Sequence, residues 1–151
     1  MPVIVIGADT PAGEAILATL RGRAGEVRAF VSDENVGDKL RRSEVKVATG
    51  DVSDLSHVEA ACMNCFCAVL VTGAADDGRE LAFGSAAATV DGWRSAVRSA
   101  GITRAIWVTD SPAVLPDVAN SAPEVQIVNS VGRDVAALAS EVADLEEAAQ
   151  I

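Results

Sequence analysis

Tyrosine is missing altogether, and no lysine follows Lys46. A phenol and a neighbouring ammonium are therefore unavailable as proton-transfer groups anywhere beyond that point. The chain also lacks a run of about 18 unbroken apolar residues, the least a membrane span requires. Met1-Pro2 leads straight into an apolar pattern without a basic leader. A soluble, cytoplasmic protein with no membrane role is expected. Bases are scarce as well: 12 Lys and Arg stand against 22 Asp and Glu, a net charge of −10. Such a charge repels phosphate backbones and anionic lipid, so no nucleic acid is expected as a partner. Arginine dominates the few bases, as in proteins of salt-in halophiles, although an acidic protein from a GC-rich genome would look the same.

Metal ligands are few. Cys62, Cys65 and Cys67 form C-x2-C-x-C, but His57 is the only histidine and no second cluster completes a closed zinc site. No metal is expected, and cysteine in ACMNCFCAVLV reads as a small hydrophobe.

Half of the residues are apolar, enough for the core of one domain spanning 1–151. Their spacing alternates between two patterns. Continuous apolar runs at Val3–Ile6 and Ala68–Thr72 suit central parallel strands, and Val27–Val31, Val45–Ala48, Ala105–Thr109 and Val125–Val128 read as further strands. Helical spacing fills Pro11–Leu20, a charged connector at Val36–Arg42, a segment capped by Asp54 or Ser56 and ending near Cys62, and Arg133–Ala149. Leu81–Ala100 reads as one helix interrupted by Gly84 and Gly92. Strands separated by helical segments mean βαβ units, and the expected fold is a doubly wound, mostly parallel α/β sheet of about six strands, Rossmann-like, with helices on both faces.

In such a fold the turn after the first strand lies at the carboxyl edge of the sheet, where ligands collect. Here it reads Gly7-Ala8-Asp9-Thr10-Pro11-Ala12-Gly13. Gly7 supplies a tight turn, Gly13 lets the helix approach the strand, and the helix amino end offers unpaired N–H groups to a pyrophosphate. Thr10 stands where the backbone would come closest to phosphate. Its Cβ crowds that approach, while its hydroxyl offers a hydrogen bond. The second strand runs into Ser32-Asp33, where a carboxylate takes ribose hydroxyls and repels a 2′-phosphate, so NAD(H) is expected over NADP(H). Arg41 or Arg42 folding back would serve NADP instead, and Asp33 has an alternative role as a helix cap.

Through about Thr109 the chain resembles the atypical short-chain dehydrogenase/reductases, including the NmrA-like group. Gly7 to Gly13 matches their G-A-T-G-x-x-G, Val47 to Asp54 their V-x-G-D-L/V-x-D, and Ala100 to Asp110 their A-G-V-x-R-x-V-x-V-S-S. The resemblance implies that Asp51 accepts from the adenine amino group, that the Val52 backbone contacts the ring, and that Thr72, Gly73 and Ala74, with Val71, line the pyrophosphate and nicotinamide ribose. It also implies pairing through the Leu81–Ala100 helix, whose Phe83, Val90, Trp93 and Val97 exceed what one sheet face readily covers; a homodimer is expected. The best-known members use a tyrosine and a lysine four residues on, and neither exists here, so no catalytic residue is assigned. Relatives also carry a further carboxyl-terminal region that forms the substrate pocket. The expected function is dinucleotide binding in a sensor, regulatory or assembly role, with a minimal reductase of a quinone- or flavin-like acceptor as the alternative. The regulatory nucleotide-binding domains of potassium transport (RCK or TrkA-N type) share the glycine turn and the acid after the second strand, and form a further alternative.

Overall fold

The computed structural model describes residues 1–23 and 25–151. Strands β1 (Val3–Ile6), β2 (Val27–Val31), β3 (Lys46–Thr49), β4 (Cys67–Val71), β5 (Arg104–Thr109) and β6 (Glu124–Asn129) form one sheet. Its order is β3-β2-β1-β4-β5-β6, with every pair parallel. Helices α1 (Pro11–Arg21), α2 (Glu34–Arg42), α3 (Leu55–Cys62), α4 (Gly73–Asp76), α5 (Ala86–Ser99) and α6 (Val135–Glu147) connect or follow them. The strand order reverses between β1 and β4, and in such sheets this is the switch point beside which a ligand crevice opens.

Period-two alternation sorts the strands' side chains between two cores. Val3 and Val5 of β1, with Cys67, Val69 and Val71 of β4, pack against Ile16, Leu17 and Leu20 of α1 and Leu138 and Val142 of α6. Ile4, Ile6, Ala68 and Leu70 face the other way, onto Val58 of α3 and Trp93 and Val97 of α5. Cys67 lies on the α1/α6 side, and Cys62 and Cys65 on the α3/α5 side, so the three cannot converge on one ion. Burial pushes the Cys62 thiol up to about 12 and raises Cys65 and Cys67 too. Among the described residues no group of three His, Cys, Asp or Glu is placed to hold a metal. No helix among them is long and apolar enough to cross a membrane.

The expected Leu81–Ala100 helix begins later, at Ala86. Gly84 adopts φ +81°, and the Ser85 hydroxyl caps the first turn by accepting from Ala88 N–H at 3.2 Å. Residues 77–85 instead form an irregular strap along the carboxyl edge. Val90, Trp93 and Val97 are buried within the chain, and Trp93 donates its indole N–H to the Val52 carbonyl at 2.8 Å. Phe83, 62% exposed, is all that remains of the apolar surplus on which pairing was expected to rest.

At the opposite, amino edge, Arg104 of β5 is 1% exposed. Its guanidinium makes a bidentate pair with Glu124 of β6 at 3.1–3.2 Å, and Nη1 donates to the carbonyls of Leu145, Glu146 and Ala148 at the end of α6. A cation there offsets the negative end of the helix dipole and satisfies orphan acceptors. The Arg104 hydrogen bonds hold the Glu124 carboxyl below the usual carboxylate range.

Candidate functional site

Three loops converge at the carboxyl edge, and the first is the glycine turn. Gly7 has φ +86°, and a Cβ there would lie 2.8 Å from the Ala74 Cβ and 3.1 Å from the Val71 carbonyl oxygen. The turn is thus pressed against the end of β4. A Cβ on Gly13 would lie 1.9 Å from the Gly7 carbonyl oxygen. Only a bare Cα lets α1 start in contact with β1, which directs its amino end into the crevice.

Thr10 is the N-cap of α1. Its backbone is extended, at φ −91° and ψ 159°, a conformation open to any residue. Its hydroxyl donates to the Gly7 carbonyl at 2.7 Å and accepts from Gly13 N–H at 3.0 Å. The hydroxyl proton is committed inward and is not offered to a phosphate. Pro11 has no N–H, and among the described residues Ala12 N–H has no acceptor within the chain. The first turn therefore presents one open N–H to an anion where two would be available without the cap.

Two cavities extend from this point and share Gly73, Asp77 and Asp110. One, of about 500 Å³, runs from Thr10, Pro11 and Ala12 to Val131 and Arg133. The other, of about 480 Å³, lies between α5 and the loop after β5, walled by Ala86, Val90, Thr109, Val114, Leu115 and Pro116. Hydroxyls are present but engaged: Thr72 Oγ1 donates to the Val108 carbonyl at 3.4 Å, Thr109 Oγ1 accepts from Ser111 N–H at 3.1 Å, and Ser111 Oγ donates to Asp110 at 3.1 Å.

The third loop is the strap. Asp51 Oδ1 accepts from Ser53 N–H and Oγ, its Oδ2 from Ala82 N–H at 2.8 Å, and Ser53 Oγ accepts from Phe83 N–H. Burial pushes the Asp51 carboxyl up, but these hydrogen bonds outweigh it and hold the group below the usual range. Farther along, Arg79 reaches back to the end of β2. Its Nη1 donates to both oxygens of Asp9, at 3.1 and 3.2 Å, and to Ser32 Oγ at 3.2 Å, while Nε holds Asp77. Hydrogen bonds from Arg79 hold the Asp77 carboxyl low. Asp33 caps α2 with one oxygen, accepting from Asn35 and Val36 N–H, as its alternative role foresaw.

The fit to a dinucleotide can be judged from these contacts. An open helix-terminal N–H lies beside a groove that joins an apolar cavity on one side and, at Asp77, a shallow polar hollow lined by Asp9, Ser32, Asp33 and Arg79 on the other. That sequence of surfaces suits pyrophosphate, nicotinamide and adenosine ribose in turn. A family model described as NAD(P)H-binding matches residues 7–144. The chain belongs to the NAD(P)H-binding family. Its resemblance to the atypical short-chain reductases is borne out, as is the Rossmann-like fold.

No curated protein matches the sequence. Among solved structures, an anaerobilin reductase from Escherichia coli is similar at TM-score 0.71 and 20% identity, over 99% of this chain and 92% of that one. A putative epimerase from Bacteroides thetaiotaomicron gives TM-score 0.74 and 16% identity, also over 99% and 92%. An NADPH-dependent quinone oxidoreductase from Escherichia coli, complexed with NADPH, gives 0.70 and 17%, over 95% of this chain and 54% of that one. At these identities the likeness establishes the fold. An extensive further region, expected of relatives, is thus found in the quinone oxidoreductase and not in the other two.

Gly7, Thr10, Pro11, Ala12, Gly13, Thr72 and Gly73 lie together at the carboxyl edge. Ala74 and Val52 are fully buried, Ala74 beneath Gly7 and Val52 with its carbonyl taken by Trp93. Arg79 and Asp77 escaped sequence reasoning. Arg79 is 70 residues from Asp9 and 47 from Ser32, and no local pattern marks such a contact.

Proposed function

We propose that this protein binds NAD(H) along the carboxyl edge and passes hydride to a flat, conjugated acceptor in the adjoining cavity. What carries the reading is the cavity of about 480 Å³ with apolar walls at Ala86, Val90, Val114, Leu115 and Pro116, joined to the groove at Gly73, Asp77 and Asp110. Two proteins of similar fold, an anaerobilin reductase and a quinone oxidoreductase, support it. The Gly7–Gly13 turn with Ala12 N–H takes the pyrophosphate. Thr72 and Gly73 form the nicotinamide-ribose side, Ser32 and Asp33 meet the adenosine ribose, and Asp51 lies toward adenine, while Ala74 and Val52, fully buried, only support the groove from beneath.

Bound, the reduced dinucleotide supplies a hydride. The chain's own part is to hold it, to exclude water with the apolar walls, and to leave the acceptor's protons to solvent. Ser111, one of the hydroxyl residues lining the cavity, directs its proton at Asp110 and is a poor donor to an alkoxide. An acceptor that spreads the incoming charge over a conjugated system needs no such donor.

In a screen following NADH absorbance, a quinone or flavin acceptor is expected to turn over, and small alcohols, ketones and sugar nucleotides to react roughly a hundredfold more slowly or not at all. Binding of NADH without oxidation by any acceptor would leave a sensor or regulatory protein, the reading favoured by the carboxylates Asp76, Asp77 and Asp110 around the cavity. Carbonyl reduction abolished by Ser111→Ala would overturn both.

Thr10→Gly is expected to tighten NADH binding roughly tenfold in calorimetric titration, because Gly13 N–H becomes free to meet a charged phosphate. The lost cap costs only a few tenths of a kcal/mol when glycine replaces threonine. Weaker binding in this variant would mean that the capped geometry is itself part of the seat. Homodimerisation keeps only Phe83 as support and forms no part of the mechanism.

A further inference from the structure

We propose that Asp9 selects the dinucleotide: its carboxylate occupies the anion seat in which a 2′-phosphate would otherwise be held. The proposal rests on the dinucleotide lying in the groove described above, and deepens that reading.

Three donors hold the Asp9 carboxylate, two backbone N–H groups and one guanidinium. Asp9 Oδ2 accepts from the backbone N–H of Ser32 at 2.9 Å and of Asp33 at 3.1 Å, the first two residues beyond β2. Arg79 Nη1 lies against both carboxylate oxygens and also donates to Ser32 Oγ. The Asp9 side chain is 4% exposed and that of Arg79 16%, so the ion pair is largely buried at the base of a shallow, open hollow lined by Asp9, Ser32, Asp33, Asp77, Gly78 and Arg79. Two convergent backbone N–H groups, a hydroxyl and a guanidinium are donors suited to a phosphate dianion. The end of β2 is where a Rossmann domain meets the 2′ position of the adenosine ribose. Here one of the chain's own carboxylates has taken the two N–H groups and the guanidinium, while the Ser32 hydroxyl accepts from Arg79.

Charge points the same way. Asp9, Asp33 and Asp77 surround a single Arg79, so a 2′-phosphate would enter a hollow of net negative charge and would have to displace Asp9 from its donors. An unphosphorylated ribose faces neither obstacle, and Asp33 keeps one carboxylate oxygen outside its helix cap to accept from ribose hydroxyls.

The test is calorimetric titration of the full chain with NADH and with NADPH, for the parent, Asp9→Ala, Asp9→Asn and Asp9→Ala/Arg79→Gln. The parent is expected to bind NADH more tightly. Asp9→Ala empties the seat and should narrow the preference by roughly tenfold or more, through tighter NADPH binding that weakens as salt is added. Asp9→Asn, which removes the charge and keeps the shape, should move the ratio in the same direction and serves if the alanine variant folds poorly. Restoration of the preference in the double variant would identify Arg79 as the group that receives the phosphate. A parent that prefers NADPH, or a ratio unchanged in a folded Asp9 variant, overturns the proposal while the groove assignment stands. Failure of the parent and all variants to bind either nucleotide overturns the groove assignment, and the proposal with it.

Discussion

Gly13→Ala is expected to lose about 3 kcal/mol of stability, a fall in melting temperature of roughly 10 °C for a chain of this size. The added methyl would lie 1.9 Å from the Gly7 carbonyl oxygen and 2.8 Å from both the Gly7 carbonyl carbon and Thr10 Oγ1. The nearest obstacles are backbone atoms, and the Gly7 backbone is itself pressed against Ala74 and Val71. Neither side has a flexible end to swing away. Relief requires α1 to withdraw from β1, which also carries the Ala12 N–H out of the groove, so NADH binding should fall with stability. Gly25→Ala is the control, because a methyl there meets nothing within 4 Å. Thermal melts and titrations of the two variants side by side decide the matter, and a Gly13→Ala protein that melts with the parent would contradict the packing described.

The second large effect belongs to the amino edge. Arg104→Met should be strongly destabilising, since it removes from a buried position the donor to three carbonyls at the end of α6 and leaves the partly exposed Glu124 carboxylate without its guanidinium. Denaturant titrations across pH supply a finer readout. Arg104 holds the folded-state Glu124 carboxyl below its unfolded value, so this contribution is complete above the unfolded pKa and disappears as pH falls through the folded one. The parent should therefore lose stability on the acid side, below about pH 4.3, more steeply than Arg104→Met does. Equal acid limbs in the two proteins would show that the pair contributes nothing to the difference.

How much of this was legible in advance depended on whether the cause was local. Val3–Ile6 and the apolar run through β4 could be recognised because strands covered on both faces carry apolar side chains at every position. Gly7 and Gly13 could be placed because a strand-to-helix turn makes its demand within seven residues. The start of α5 could not: apolar spacing continues back through Leu81 and Phe83, while Gly84 at φ +81° and the Ser85 cap end the helix against that spacing. The strap before it is held by Asp51, about thirty residues away in sequence, and by Arg79 across a longer interval. Asp33 was legible as a cap because an aspartate just before a helical segment satisfies the first N–H groups of that helix. Asp9 was assigned to the turn, but its contacts run to amides 23 and 24 residues on and to Arg79, 70 residues on, which only the folded chain brings together.

Strand β5 has a consequence for how this protein can change. Its six residues, rising about 3.3 Å each, separate Arg104 at one end from Thr109 at the other by roughly 17 Å. Beyond about 10 Å, without shared partners, substitutions act additively. The ion network that fastens β6 and α6 and the loops that line the groove are thus thermodynamic strangers. Double-mutant cycles between Arg104 and Asp9 have no coupling energy to find. Selection can therefore redraw the specificity of the carboxyl-edge loops one residue at a time without renegotiating the fastening that keeps the sheet together.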